Sequence, residues 1–128
     1  MNLLLDSHVL IWWWANDRKQ LGKAIDRLLS PSGGLFVSAA SAWEIATKQR
    51  LGKIDPGVAM DVFEEALLAD GFIPLAIDMA HALRAGSYAM PHADPFDRLL
   101  AAQAELEGLT LLTRDRALQA FPCSTLWD

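Results

Sequence analysis

Short apolar runs alternate along this chain with longer segments in which apolar residues recur at helical spacing. Runs of this kind predict four strands and a fifth candidate, at Leu3 to Leu5, Leu35 to Val37, Phe72 to Ile77, Leu109 to Thr113 and, as the candidate, Ser124 to Trp127. Because proline cannot donate to a sheet ladder, we expect Pro74 to interrupt the sheet or to lie at its edge.

The segments between these strands predict helices that end at glycines or before proline. They are His8 to Ala15, Gly22 to Ser30, Ala39 to Leu51, Gly57 to Ala69, Asp78 to Met90, a helix from about Phe96 to Glu107, and a short helix from Asp115 to Phe121. Strands that alternate with helices predict an α/β fold of three layers with a mostly parallel sheet.

Composition restricts the class of protein further. The chain has 128 residues, of which 52% are hydrophobic, and this fits one domain with a real core. Cys123 is the single cysteine, no apolar run approaches the roughly 20 residues that span a bilayer, and the first residues lack a basic segment. These features predict a cytoplasmic protein. The net charge of −5 argues against nucleic-acid binding unless carboxylates converge on cations, which can then attract phosphate.

Three aspartates occupy special places among the predicted elements. Asp6 ends the first strand, Asp115 follows the strand Leu109 to Thr113 after one residue, and Asp97 lies in the first turn of a helix. In open parallel sheets, ligands bind at the carboxyl ends of the strands. Asp6 and Asp115 are therefore expected at one edge of the sheet.

Each of these acids also has a purely structural interpretation as a helix cap. Aspartate is a preferred N-cap, and Asp94-Pro95-Phe96-Asp97 has the composition of a helix start. For Glu44, the alternatives are a capping box with Ser41 and a helix pair with Lys48. However, a helix that begins near Ala39 puts Glu44 in its second turn, where an apolar setting would require a partner for the carboxylate. Capping and metal binding are compatible for a carboxylate with two oxygens.

Four motifs along the whole chain resemble those of PIN-domain nucleases, and most closely the VapC-like toxins of bacterial toxin–antitoxin pairs. They are LLLDSHVLIW, SAASAWEIATKQRLGKI, HADPFDRLLAAQA and LTLLTRD, in this order. The resemblance implies a single PIN domain over residues 1–128, a three-layer α/β/α fold, and a sheet of four to five strands. It also implies hydrolysis of RNA phosphodiesters with Mg²⁺ or Mn²⁺ held by Asp6, Glu44, Asp97 and Asp115.

The third motif offers both Asp94 and Asp97, and we assign the metal ligand to Asp97 because it directly precedes the apolar, alanine-rich helix. Asp94 is then the cap, with a supporting role beside the site. We expect Asp6 and Asp97 to be the inner ligands, with Asp115 and Glu44 completing the site. Ser7 and Thr113 flank the acids and could hydrogen-bond them, or could simply satisfy backbone groups.

Several basic residues adjoin the acids in sequence. Arg98, Arg114 and Arg116 could contact RNA phosphates, or could be ordinary surface arginines. His92 is a candidate general base, although a role in ordering its loop is the more economical interpretation. His8 and His81 have no ligand spacing with each other or with Cys123, so zinc is not expected.

Three consecutive tryptophans, Trp12, Trp13 and Trp14, sweep roughly 200° of a helix surface, which is wider than an ordinary core-facing stripe. We therefore expect at least one ring to stay exposed in a monomer and to contact an antitoxin or a second subunit of a homodimer. The net charge of −5 favours an antitoxin that presents a basic residue to the acidic site.

Other functions are less consistent with the residues. A phosphatase on a similar sheet would need a nucleophilic Asp-x-Asp after the first strand, whereas this chain has Asp6-Ser7-His8. A dinucleotide-binding module would need a glycine-rich turn at that point. The remaining alternatives are a PIN nuclease that is not a toxin, and a silent PIN domain that binds partners without catalysis.

Overall fold

Leu3, Leu4 and Leu5 form the central strand of the sheet, and all three are buried because helices cover both of its faces. The computed structural model describes residues 1–127. The described strands are β1 (Leu3–Leu5), β2 (Leu35–Ser38), β3 (Ile73–Leu75), β4 (Thr110–Leu112) and β5 (Ser124–Leu126).

The described helices connect these strands in sequence. They are α1 (Ser7–Trp14), α2 (Arg18–Leu21), α3 (Ala24–Leu29), α4 (Ala39–Arg50), α5 (Phe63–Ala69), α6 (Met79–Ser87) and α7 (Pro95–Glu107), with 3-10 turns at Met60–Val62 and Arg116–Ala120. Within residues 1–127, no helix combines the length and apolar character that crossing a membrane requires.

The five strands are all parallel and lie in the order β3-β2-β1-β4-β5. Leu3 pairs with Leu35 on one side and with Thr110 on the other. Pro74 lies in β3, an edge strand, where its missing N–H need not reach a second neighbour. The expected parallel sheet is confirmed, and all its carboxyl ends meet at one edge, which we call the carboxyl edge.

Alternation along the strands divides the core into two clusters. Leu3 and Leu5 pack into one cluster with α1 to α5, whereas Leu4 packs into the other with α6 and α7. Leu112 and Leu111 divide in the same way on β4. The two clusters lie on opposite faces of the sheet, which confirms the three-layer arrangement.

The predicted helices differ from the structure mainly at their ends. The predicted helix from Gly57 splits into the 3-10 turn at Met60–Val62 and α5, and α6 stops at Ser87 rather than Met90. The predicted helix from Gly22 begins at Ala24, and the four-residue α2 before it was not predicted. The segment after Asp115 forms a 3-10 turn instead of an α-helix. These are short pieces in which tertiary contacts outweigh helical propensity.

Candidate active site

Asp6 follows β1 at the carboxyl edge and is 5% exposed. It is the N-cap of α1, since its Oδ1 accepts a hydrogen bond from the His8 backbone N–H at 3.2 Å. The His8 Nδ1 atom lies 3.5 Å from the same oxygen. Burial would raise the pKa of Asp6, but hydrogen bonds from His8 and Thr113 outweigh it, so the pKa lies below its usual value. The Asp6 carboxylate is thus held in its charged form although it is buried.

Thr113 joins two of the predicted acids. Its hydroxyl donates to Oδ2 of Asp6 at 2.6 Å and accepts the backbone N–H of Asp115 at 3.0 Å. Asp115 also caps the following 3-10 turn by accepting the Ala117 N–H at 2.9 Å. The ends of β1 and β4 are therefore linked by one buried hydroxyl, and Asp115 combines capping with a place beside Asp6.

Glu44 lies in the second turn of α4 and is 4% exposed. The cap of this helix is Ser38, whose hydroxyl accepts the Ala40 N–H, and this excludes the capping box between Ser41 and Glu44. Lys48 Nζ lies 2.8 Å from Glu44 Oε2, so the buried carboxylate has the partner that its burial requires. Burial would lower the pKa of Lys48, but the hydrogen bond to Glu44 outweighs it and raises that pKa.

A second buried contact fixes α4 against α1. The Ser7 hydroxyl donates to the Ser41 hydroxyl at 2.8 Å, and both side chains are fully buried. Ser7 follows Asp6, and Ser41 lies one turn before Glu44. This hydroxyl pair therefore fixes the relative position of the two helices that carry Asp6 and Glu44.

Asp97 lies in the first turn of α7, where Asp94 is the N-cap and accepts the N–H groups of Phe96 and Asp97. His92 Nε2 lies 2.9 Å from Asp97 Oδ2. Burial raises the pKa of Asp97 to about 6; the His92 hydrogen bond opposes this rise, whereas the negative charges of Asp94 and Asp6 add to it. The ionised form of Asp97 is therefore disfavoured mainly by burial and further by the neighbouring acids.

Electrostatic couplings connect Asp6, Glu44 and Asp97, and also the cap Asp94. The charges of Asp94 and Asp6 both act on Lys48, which is bonded to Glu44, and the charge of Glu44 acts on His8. The hydrogen bond with Asp6 raises the pKa of His8 in spite of partial burial. Asp6 is the centre of this group, because it couples to His8, Lys48 and Asp97.

A cleft of about 270 Å³ opens onto this region and is lined by Asp6, His8, Trp12, Arg114 and Asp115. The Arg114 guanidinium lies 4.3 Å from the centre of the Trp12 ring, and its Nη1 donates to Gln20 Oε1 at 2.7 Å. Larger clefts of about 660 and 420 Å³ lie elsewhere, and none of the four predicted acids lines them. The small cleft is distinguished by its acidic lining residues and not by its volume.

The four acids suit a hard divalent cation by their chemistry. All of them offer carboxylate oxygens, and burial together with the charges of Asp94 and Asp6 disfavours the ionised form of Asp97, which a bound cation would stabilise. Among the described residues, no three of the four have ligand oxygens within 4.8 Å of one another. This spacing leaves room for water and substrate oxygens, which Mg²⁺ usually retains beside protein ligands.

A tighter group of possible ligands, Asp78, His81 and Glu107, lies elsewhere, with ligand atoms within 4.8 Å of one another. Glu107 ends α7 while Asp97 begins it, so about 15 Å separates the two positions along the helix. The His81 Nδ1 accepts the Asp78 N–H at 3.0 Å, which leaves Nε2 to donate to Glu107 at 2.8 Å. One ring nitrogen caps α6 and the other ties α6 to the end of α7, so both have a structural role.

The arginines that adjoin the acids in sequence have different environments. Arg98 donates from all three of its side-chain nitrogens to the carbonyls of Ala85, Tyr88, Met90 and His92. Arg98 therefore fixes the loop before α7. Because its three nitrogens already donate to these carbonyls, it is poorly placed to bind a phosphate. Arg116 is exposed and Arg114 lines the cleft, so these two remain available to a ligand.

The three tryptophans are all half-buried, which corrects the expectation that at least one would be an exposed ring. Trp13 and Trp14 both donate their indole N–H to Oδ2 of Asp70 at 3.0 Å. Trp13 packs edge-on against Phe72, and Trp14 packs in the same way against Phe63. Trp12 instead lies between Trp127 and Arg114 at the cleft.

His8 was considered in the sequence only as a possible zinc ligand, although the structure places it in the cleft beside Asp6. The available signal was its position two residues after an N-cap, from which an imidazole can reach back to the capping carboxylate. Ser41 was likewise not identified as a partner of Ser7. Its role depends on the contact between α1 and α4, which the local sequence does not report.

Comparisons with known proteins agree with the four motifs. A family model described as PIN domain matches residues 3–122. Ribonuclease VapC22 from Mycobacterium tuberculosis (strain ATCC 25618 / H37Rv) is 28% identical over 121 residues, which cover 92% of this chain and 90% of that protein.

Solved structures share the fold at lower identity. Mycobacterium tuberculosis VapC20, described as a Sarcin-Ricin loop cleaving toxin, superposes with a TM-score of 0.71 at 14% identity, covering 98% of this chain and 99% of its own. VapBC2 from Rickettsia felis, solved with a DNA fragment from its promoter, gives a TM-score of 0.68 at 15% identity over 100% of both chains. The family model spans nearly the whole described fold, and this chain therefore belongs to the PIN-domain family.

Proposed function

We propose that this protein is an endoribonuclease dependent on Mg²⁺ or Mn²⁺, and that it is the toxin of a toxin–antitoxin pair. The observation that carries the nuclease proposal is a group of acids at the carboxyl edge. Asp6 and Asp115 line one cleft, and the charge of Asp6 acts on Asp97 and on Lys48, the partner of Glu44. The relative named ribonuclease VapC22 supports RNA as the substrate.

The residues of the site divide into ligands and groups that position them. Asp6 and Asp97 would hold the cation directly, and Asp115 and Glu44 would complete its surroundings. When bound, the cation would supply a water of lowered pKa as the nucleophile and would neutralise charge on the scissile phosphate. Thr113 orients Asp6, His92 orients Asp97, and Lys48 offsets the charge of Glu44.

The proposed roles of the remaining groups follow from their positions. Arg114, held by Trp12 and Gln20, is placed to contact an RNA phosphate at the cleft. Arg116 is exposed next to Asp115 and could do the same. His92 is bonded to Asp97, so we assign it to orienting that carboxylate rather than to general base catalysis.

The toxin assignment and the partners come from the relatives. VapC20 is described as a toxin, and VapBC2 was solved with promoter DNA. By analogy we infer a cognate antitoxin, and because the site is acidic we expect it to present a basic residue there. The homodimer is expected from the resemblance to VapC-like toxins and not from these descriptions. The net charge of −5 is compatible with a basic partner.

The nuclease proposal is tested by incubating total RNA with the purified protein, with and without Mg²⁺ or Mn²⁺. Cleavage should require the cation and should be lost in Asp6→Asn, Asp97→Asn and Asp115→Asn, while circular dichroism shows an intact fold. Asp94→Asn is the matched control, because asparagine also caps a helix, and it should retain most of the activity. Cleavage in Asp97→Asn with a silent Asp94→Asn would show that the ligand is Asp94.

The toxin proposal is tested separately by expression in a bacterial host. The wild-type chain should arrest growth, whereas Asp6→Asn should not, and co-expression of the antitoxin should restore growth. An active nuclease that does not affect growth would instead be a PIN nuclease outside the toxin–antitoxin systems. A folded protein without cleavage or Mn²⁺ stabilisation would be a silent PIN domain.

A further inference from the structure

Trp43 is an aromatic residue on α4, and 54% of its surface is exposed to solvent. Its ring contacts Phe96, in the first turn of α7, with the ring centres 4.7 Å apart and the planes at 79°. In this edge-to-face geometry the two rings do not cover each other as parallel rings would. A flat aromatic face therefore remains open to solvent.

The Trp43 ring does not pack into the hydrophobic core. Within the part of the chain that the structure describes, neither ring of the pair belongs to the two core clusters. The residues one helical turn from Trp43 are all too small to cover an indole; they are Ala39, Ala40, Ala46 and Thr47. The Trp43 ring therefore stays accessible at the surface instead of being covered by neighbouring side chains.

The aromatic pair lies directly beside two of the proposed metal ligands. Trp43 precedes Glu44 on α4, and Phe96 precedes Asp97 on α7. The contact between the two rings therefore bridges the same two helix segments that bring these carboxylates to the site. A nucleotide stacked on Trp43 would lie close to a phosphate bound at the acids.

The charge of the protein makes such a contact useful. With a net charge of −5 and an acidic site, the chain has little general attraction for a phosphate backbone. Stacking of a base on an aromatic ring does not depend on charge and contributes substantially to the binding of single strands. We propose that Trp43, supported by Phe96, forms a stacking subsite for one unpaired base of the RNA substrate, which extends the nuclease function proposed above.

The subsite specifies a substrate class. Both faces of a base in a duplex are covered by its neighbours, so only a base in a single strand, loop or bulge can stack on a protein ring. The surroundings also favour a base over a protein partner. The neighbours of Trp43 one helical turn away are small, and Asp94 and Pro95, which precede Phe96 in sequence, are exposed, whereas a protein interface centres on a continuous apolar patch.

The experiment compares Trp43→Ala and Trp43→Phe with the wild type, and uses Leu51→Ala as the matched control. Leu51 is 53% exposed at the end of the same helix, so its truncation removes a similarly exposed apolar side chain. The probes are a fluorescein-labelled RNA hairpin with an unpaired loop and the same stem as a blunt duplex. Cleavage gives kcat and KM, and anisotropy on an Asp6→Asn background, which should not cleave the RNA, gives binding.

Trp43→Ala should weaken hairpin binding and raise KM by about 5- to 150-fold, the range that corresponds to loss of one stacked base. Trp43→Phe should stay within about threefold of wild type, because phenylalanine also stacks, but RNA should quench less of its tryptophan fluorescence, since one of the five tryptophans is missing. Leu51→Ala should match the wild type, the Mn²⁺-induced thermal shift should be unchanged in all variants, and the duplex should bind weakly throughout.

Equal hairpin affinity and equal KM in Trp43→Ala and wild type would overturn the stacking proposal, and would leave the exposed ring to a protein partner. In that case cleavage by the wild type would still support the nuclease. If the wild type binds the hairpin through Trp43 but cleaves no RNA with Mg²⁺ or Mn²⁺, the nuclease proposal fails while the stacking subsite stands.

Discussion

The hydroxyl of Thr113 donates a 2.6 Å hydrogen bond to Oδ2 of Asp6, and thereby ties the end of β4 to the end of β1. The partners are 107 positions apart in the chain, and both are buried. Because the same hydroxyl accepts the Asp115 N–H, it fixes the position of two acids at once. The geometry of the cleft therefore depends on a residue that carries no charge.

Thr113→Val keeps the shape of the side chain but removes the hydroxyl, so Asp6 loses a donor and its pKa should rise. Loss of an orienting partner typically weakens metal binding or activity by about 10- to 100-fold, and we expect a decrease of this size. Thr113→Ser, which retains the hydroxyl, should recover most of the loss. Mn²⁺ affinity by titration calorimetry and RNA cleavage check both variants. Wild-type affinity in Thr113→Val would show that the hydrogen bond does not position Asp6.

Asp97 makes the stability of the metal-free protein depend on pH. Its pKa of about 6 in the fold lies above the ordinary value of 3.8, so between these values the folded state binds the additional proton. Ionised Asp97 therefore opposes folding above pH 6, and this opposition disappears as the pH falls towards 4. Asp97→Asn should raise the melting temperature in EDTA at pH 7.5 and should give a smaller gain at pH 4. A gain that is equal at both pH values would contradict this assignment.

The same pKa links metal binding to pH. Because a protonated carboxyl is a poor ligand, Mn²⁺ affinity should fall as the pH drops below about 6, by about tenfold per pH unit. Asp94→Asn removes one of the charges that raise the pKa of Asp97, and should move the midpoint to lower pH. Calorimetric titrations from pH 5 to 8 measure both curves. Identical midpoints for wild type and Asp94→Asn would mean that Asp94 does not act on Asp97.

The sheet could be predicted from the sequence because each strand is a short apolar run whose ends are marked by polar residues. Asp6 and Asp115 could be placed at one edge, since parallel strands end together. Burial of Glu44 and its need for a partner followed from the apolar residues around it. These features depend on local patterns, and the structure reproduces them.

Contacts between distant segments could not be read from local patterns. Arg98 follows a predicted acid and looked available for a phosphate, yet its guanidinium binds four carbonyls of the segment from Ala85 to His92. The sequence shows the charge of an arginine but not which carbonyls a loop turns towards it. For the same reason, the aromatic pair of Trp43 and Phe96 was not anticipated.

The three consecutive tryptophans should separate into two functional groups. Trp13 and Trp14 share Asp70 as acceptor and pack on Phe72 and Phe63, so each contributes to the fold. Replacement of either by alanine should cost about 2 kcal/mol or more, since burial is partial and full truncation of a buried tryptophan costs about 3–5 kcal/mol. Asp70→Ala should destabilise the protein less than either tryptophan replacement, because the two hydrogen bonds that it removes are exposed and water can take the place of the carboxylate.

Trp12 should behave differently, because it lines the acidic cleft and lies under Arg114. Trp12→Ala should destabilise the fold less than Trp13→Ala or Trp14→Ala, but should weaken binding of the antitoxin or of RNA, since it also releases the Arg114 guanidinium. Chemical denaturation measures the first effect. Affinity for each partner and subunit mass by sedimentation measure the second, with Trp12→Phe as the control that keeps a ring under the guanidinium. If Trp12→Ala unfolds the protein as readily as the other two and binds both partners like wild type, all three tryptophans serve the core alone.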